Sequence, residues 1–156
     1  MSKRTFDARK IFPLAALQEA DPSAQNGFHA AEIDSIYNFL YVFRMELAKP
    51  IIFCGSSLDD LRAFPLSARR EAGHQLDQVQ NGLEPDNWKP MQSVGPGVQE
   101  IRVRDTTGAF RILYVAKFAE AVYVLHCFQK KTQKARKADL DLAEQRYREL
   151  LKERLS

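Results

Sequence analysis

From Ala121 to Phe128 the chain reads AVYVLHCF, apolar at odd and even positions alike. Side chains on a strand alternate between its two faces, so a run that is apolar on both suits a strand in the middle of a sheet. Three lysines then follow within five positions: Lys130, Lys131 and Lys134. A buried strand that ends in a cationic rim is a place to hold an anionic ligand. The rest of the chain reads as its scaffold and the second half of that site.

The segments before it supply the neighbours. Val98 to Arg104 alternates, with Gln99, Ile101 and Val103 on one side and Glu100, Arg102 and Arg104 on the other. Such a strand is half exposed. Asp105-Thr106-Thr107-Gly108 reads as a hairpin loop with glycine at a positive-φ position. Phe110 to Lys117 returns as the next strand, where Arg111 shares a face with Leu113 and Val115, and Phe110 shares one with Ile112 and Tyr114. Farther upstream, Ile51–Cys54 predicts a short strand. Ser57, with Asp60 three residues on, resembles a capping box at the start of a helix over 58–63. Pro65 suits the opening of a second helix, and Ala68, Ala72, Leu76 and Val79 recur at helical spacing before Gly82. From Glu84 to Gly97, Pro85, Pro90, Gly95 and Pro96 argue against regular structure. A last helix spans Lys134 to Leu155, its apolar face marked by Leu140, Ala143, Tyr147 and Leu150, with Arg146 mostly off it. The expected fold class is α+β: a small, mostly antiparallel sheet with an N-terminal helical hairpin and a C-terminal helix packed on one side of it.

Residues 1–44 read differently. Pro13, Asp21-Pro22-Ser23 and Asn26-Gly27 interrupt any long element, and Ile36 to Phe43 is nearly continuously apolar. Met45 then begins a sequence typical of a compact domain. The expected organisation is an N-terminal extension over 1–44 and one domain over 45–156, with Met45 a candidate natural start. No signal peptide is visible and no apolar run is long enough to span a bilayer, which places the protein in the cytoplasm with no membrane partner. Cys54 and Cys127 sit beside apolar runs and read as small core residues.

Charge is segregated. Between Gln99 and Ala138 nine basic residues face three acidic ones, leaving +6 there and −3 over the rest of the chain. A segregated basic half suggests a phosphate-bearing partner, although a solvated cationic surface has the same composition. His29, His74 and His126 are far apart and no paired Cys motif occurs, so no metal site or other cofactor is expected. Walker, dinucleotide and nucleophile-elbow patterns are missing. The cations that remain are Arg102, Arg104 and Arg111 on a hairpin and Lys130, Lys131 and Lys134 after the next strand. Arginine offers phosphate a planar fork and lysine a mobile charge. Phe128 and Tyr114 are faces on which a base could stack, unless both are core. His126, inside an apolar strand, reads as a core histidine. Such a cluster can cleave RNA without a histidine pair. The 2′-OH is an internal nucleophile, so alignment and neutralisation of the building charge both speed the reaction.

His126-Cys127-Phe128-Gln129-Lys130-Lys131-Thr132-Gln133-Lys134 resembles the end of the sheet in phage-derived HigB-type toxins of the RelE superfamily. The order Lys89-Pro90-Met91, Glu100-Ile101-Arg102, then Gly108-Ala109-Phe110-Arg111 agrees with it, over about Lys49 to Leu151. The resemblance implies a RelE-like fold and the toxin of a type II toxin–antitoxin pair. It implies a metal-independent endoribonuclease that cuts mRNA in the ribosomal A site and is neutralised by a helix-turn-helix antitoxin. Carried over residue by residue, it assigns Arg102, Arg104, Arg111 and Lys130 to phosphate and transition-state charge, with Glu100 a candidate base. Lys89, Tyr114, Phe128, Lys131 and Lys134 would bind the RNA. No Tyr or His follows the lysines, which leaves the general acid unassigned. The competing reading is a non-catalytic regulator that uses the same basic surface to bind nucleic acid or a protein.

Overall fold

A computed structural model of the chain describes residues 3–6, 39–40, 48–132 and 137–156, the first of these as backbone only. Six strands and three helices are defined among them. They are β1 (Lys3–Phe6), β2 (Ile51–Cys54), α1 (Ser57–Arg62), α2 (Leu66–Gln80), β3 (Trp88–Pro90), β4 (Val98–Asp105), β5 (Gly108–Val115), β6 (Val122–Lys130) and α3 (Lys137–Leu155). The α+β class holds, and the sheet order is β1-β2-β6-β5-β4-β3.

Three expectations about the architecture are corrected. The sheet is mixed, because β2 lies parallel to β6 while the other neighbours are antiparallel. The helical pair follows a strand instead of opening the domain. The helices also cover both faces. Leu58, Leu61, Phe64, Ala68, Ala72, Leu76 and Val79 of the α1–α2 region pack with Ile101, Val103, Phe110, Ile112 and Tyr114. On the opposite face, Ala143, Tyr147 and Leu150 of α3 pack with Val98, Leu113, Val115, Tyr123 and Leu125. A strand apolar on both sides needs cover on both, and β6 obtains it this way. Its buried residues run unbroken from Val122 to Phe128.

Local chemistry explains the element ends. Pro65 precedes the first residue of α2 with extended backbone, φ −51° and ψ 151°. Gly108, at φ 148°, closes the Asp105–Gly108 turn, and Asp105 Oδ1 accepts from the Thr107 N–H at 2.7 Å. The capping reading of Ser57 is corrected: Ser56 holds the N-cap position, while Ser57 is fully buried and its hydroxyl donates to the Val124 carbonyl at 3.1 Å. The 84–97 stretch also holds more structure than expected. Trp88–Pro90 forms an edge strand on β4, and an edge is where a sheet tolerates proline.

One irregularity governs β6. Leu113 pairs with His126 but Tyr114 pairs with Val124, so Leu125 is an extra residue in the ladder. A bulge of this kind puts two successive side chains on one face. Leu125 packs in the α3 cluster, and His126 reaches Asp139 of α3 with Nε2 2.8 Å from Oδ1. Cys127 thereby turns to the α1–α2 side, where it is buried, as Cys54 is on the other, and neither forms a disulfide among the described residues. Burial pushes the Cys127 thiol far above the usual thiol range, with Asp60 adding to the rise and Arg146 opposing it. Native protein at pH 8 is therefore expected to leave Cys127 unalkylated by iodoacetamide, with labelling only after denaturation; rapid native labelling would contradict this packing. The unfolded thiol ionises first as pH rises, so this group removes stability from about pH 9 upward.

Candidate nucleic-acid interface

The pairing register lays the predicted residues out in rows. Lys89, Glu100, Leu113 and His126 stand abreast on β3, β4, β5 and β6. The next row is Arg102, Arg111 and Phe128, and the one after it Arg104, Ala109 and Lys130. Even-numbered β4 residues and odd-numbered β5 residues share the α3 face of the sheet. There α3 packs over the rows of Val98, Val115, Tyr123 and Leu125, and the cationic rows lie past them. Among the described residues, five cations from four strands thus share one end of one face with the carboxylate of Glu100.

That carboxylate holds the arrangement together. Arg102 and Arg111 are directly opposite each other, a like-charge pair that is unfavourable in a sheet. Glu100, 2% exposed, places Oε1 at 3.3 Å from Arg102 Nε, 3.5 Å from Arg111 Nε and 3.7 Å from Lys89 Nζ. Arg111 is buried and also donates from Nη1 to the Phe110 carbonyl at 2.8 Å. Burial lowers the pKa of its guanidinium; Glu100 opposes that shift, and Arg102 and Arg104 reinforce it. Even so, the guanidinium stays charged at neutral pH. Arg104 and Lys131 are exposed and Lys130 half-buried, and among the described residues no carboxylate pairs with any of the three. The centre of the interface is therefore buried and partly neutralised, and its rim is more exposed and cationic.

The structure brings together Lys89, Glu100, Arg102, Arg104, Arg111, Phe128 and Lys130. Lys131 follows at the strand end, and Lys134 lies outside the described residues. Tyr114 is not brought to this face. It is buried in the α1–α2 cluster on the opposite side, its hydroxyl donates to Gln99 Oε1 at 2.7 Å, and burial pushes its phenol pKa well up. His126 is buried and bonded to Asp139, in keeping with a core histidine, and its ring stacks on Phe128 with centroids 5.4 Å apart. One functional candidate has no signal in sequence. Arg146, on α3, is buried and donates to the Leu125 carbonyl at 2.8 Å and to Ser56 Oγ at 2.9 Å, pinning the helix at the bulge beside the interface. Its helical spacing gives no hint of this, because the bulge it satisfies comes from a strand pairing.

Fold and surface together define a small α+β domain whose mixed sheet carries a phosphate-suited patch of arginine and lysine. The chain belongs to the family of phage-derived Gp49-like proteins (DUF891), whose family model matches residues 59–148. This is a family associated with toxin–antitoxin modules. The matched region includes α2, β3 to β6 and most of α3, and therefore the whole cationic patch. No curated protein matches the chain. Among the described residues, no helix is long and apolar enough to cross a membrane.

Proposed function

We propose that this chain is the HigB-type toxin of a type II toxin–antitoxin pair, a cytoplasmic endoribonuclease that cuts mRNA in the ribosomal A site. The observation that carries the reading is the Arg102–Arg111–Phe128 row with Arg104 and Lys130 beside it. In this mechanism the exposed Arg104 and Lys131 and the half-buried Lys130 grip the RNA backbone as fork and point charges. Phe128 offers a ring edge to the nucleotide, and its stacking on His126 fixes that ring. The ribosome-bound mRNA bends so that the 2′-OH lines up with the adjacent phosphorus. Arg102 and Arg111 then neutralise the charge that grows on the phosphorane-like transition state, from positions that Glu100 has already set. Glu100 accepts the 2′-OH proton as the bond from the 2′-oxygen to phosphorus forms and the bond from phosphorus to the 5′-oxygen breaks. This leaves a 2′,3′-cyclic phosphate and a 5′-hydroxyl end that takes its proton from solvent. The neutralising partner is a helix-turn-helix antitoxin that covers the same cations.

Glu100 also favours a second reading. A carboxylate whose Oε1 already meets three cations serves well as a counter-ion in a non-catalytic binding surface. Binding assays do not separate the two, since both surfaces bind RNA in a salt-sensitive way. Mapping mRNA 5′ ends after induction of the full chain does. The nuclease yields new ends in phase with codons; a transcript map unchanged by induction leaves the regulator.

A further inference from the structure

A cleft of about 620 Å³ opens beside the cationic rows, at the free side of β4. Strand β3 pairs only with Gln99, Glu100 and Ile101, and past it Arg102 N–H bonds to the Asn87 carbonyl at 2.9 Å. From there on, β4 faces the N-terminal half of α2 across the cleft. The two walls differ in charge. Arg102, Arg104 and Arg111 line the side that adjoins the basic face, with Asp105 beside them accepting from the Ser67 hydroxyl and the Thr107 N–H. Glu71, Asp86 and Asn87 line the other.

This division decides what can enter. A phosphate is drawn to the arginines of one wall but repelled by the exposed carboxylates Glu71 and Asp86 of the other. The cleft's volume lies in the range of about 300–1,000 Å³ usual for small-molecule sites. A neutral group rich in donors, attached to a phosphate that stays on the arginines, fits both walls. A nucleotide of single-stranded RNA has that form.

The carboxylates narrow the base. Gln75 Nε2 donates to Asp86 Oδ2 at 2.8 Å, and Gln75 Oε1 accepts from the Asp86 N–H at 2.7 Å, so the side chain and its backbone are both fixed. Gln78 Nε2 approaches Oδ1 at 3.4 Å. Each carboxylate oxygen keeps a further lone pair. Two adjacent acceptors match two adjacent donors, and guanine alone presents such a pair on its Watson–Crick edge, N1–H beside N2–H. Adenine and cytosine set a donor beside an acceptor there, and uracil has a single donor. Asn87, exposed and with no side-chain partner among the described residues, can supply a donor to guanine O6.

We infer that this cleft is a guanine subsite: the RNA backbone lies on the arginine rows and one base turns around the β4 edge so that Asp86 reads its Watson–Crick edge. The inference rests on the nuclease reading above and gives it a base preference. The test uses the full chain on ribosomes programmed with an mRNA carrying guanine, inosine or adenine at the position the 5′-end map identifies. Inosine lacks only the N2 amino group. Cutting is expected to fall roughly tenfold with inosine and further with adenine, the scale of one bidentate base contact. Asp86→Asn, which keeps an acceptor for Gln75 but turns one oxygen into a donor, is expected to flatten the difference. Asn87→Ala, which removes the donor to guanine O6, is the second variant should Asp86→Asn not fold, and is expected to narrow the preference for guanine over adenine. Cuts with no base preference, or with one that neither variant changes, overturn the guanine subsite and leave the nuclease standing. No cuts on any template overturn both.

Discussion

Arg111→Ala is expected to lower mRNA cutting by about a hundred- to a thousandfold, the usual consequence of losing one preorganised group from a developing oxyanion. Growth arrest on induction should be relieved with it. The expectation follows from placement. Arg111 is central in its row, between Arg102 and Phe128, and buried enough that its guanidinium needs no reorganisation when charge appears on a phosphate. The fold should survive, because Glu100 keeps Lys89 and Arg102 as partners and is not left as an uncompensated buried charge. Arg111→Lys keeps a charge but loses the fork geometry and should fall between the two. The measurement is the yield of codon-phased 5′ ends at matched protein level, with a melting curve for each variant. Native cutting by a well-folded Arg111→Ala protein removes Arg111 from the site.

Arg146→Ala is expected to be the costly change for stability, by about 3 kcal/mol. The guanidinium makes charge-assisted bonds to the Leu125 carbonyl and Ser56 Oγ and lies 3.4 Å from His126 Nδ1. Bonds to a charged group contribute about 1.5–3 kcal/mol each, and a bulge carbonyl left buried without a donor costs about 1–3 kcal/mol more. For a chain of this size the melting temperature should drop by roughly 10 °C. Gly55 belongs to the same arrangement. Its φ of +57° favours glycine, and a Cβ there would lie 2.7 Å from Arg146 Nε. Arg148→Ala, two residues on, is the comparison: its partner Glu144 is on the same exposed helix surface, and such pairs contribute about 0.3–0.5 kcal/mol. Equal melting temperatures for the two variants would refute the role given to Arg146.

Much of the fold is legible in the residues alone. Alternation on Val98–Arg104 and Phe110–Val115 places their side chains on the correct faces, because a strand has a fixed period of two residues. The stripe of Ala68, Ala72, Leu76 and Val79 is buried as its spacing requires. The same periodicity puts Arg102 and Arg104 on one side and Arg111 on the side it shares with Leu113, which is why most of the predicted cations meet. Tyr114 shows the limit. Its alternation sets it opposite Arg111, so residue type alone, which offers any aromatic to the RNA, puts it on the wrong face.

What tertiary structure alone decided is everything that depends on which strands pair and how they are offset. Nothing in IIFC says that it will lie parallel to VYVLHCFQK, and nothing in VYVLHCFQK marks Leu125 as an unpaired residue. That bulge moves Cys127 and Phe128 to opposite sides from those that simple alternation from Val122 would give them, and it calls Arg146 out of an exposed-looking helical position into the core. The cleft beside β4 likewise joins residues from α2, a loop and a strand edge that have no common spacing. Short-range order follows from the geometry of one element and can be read from its residues. Register, bulges and clefts are balances among many elements, and they exist only once the chain has packed.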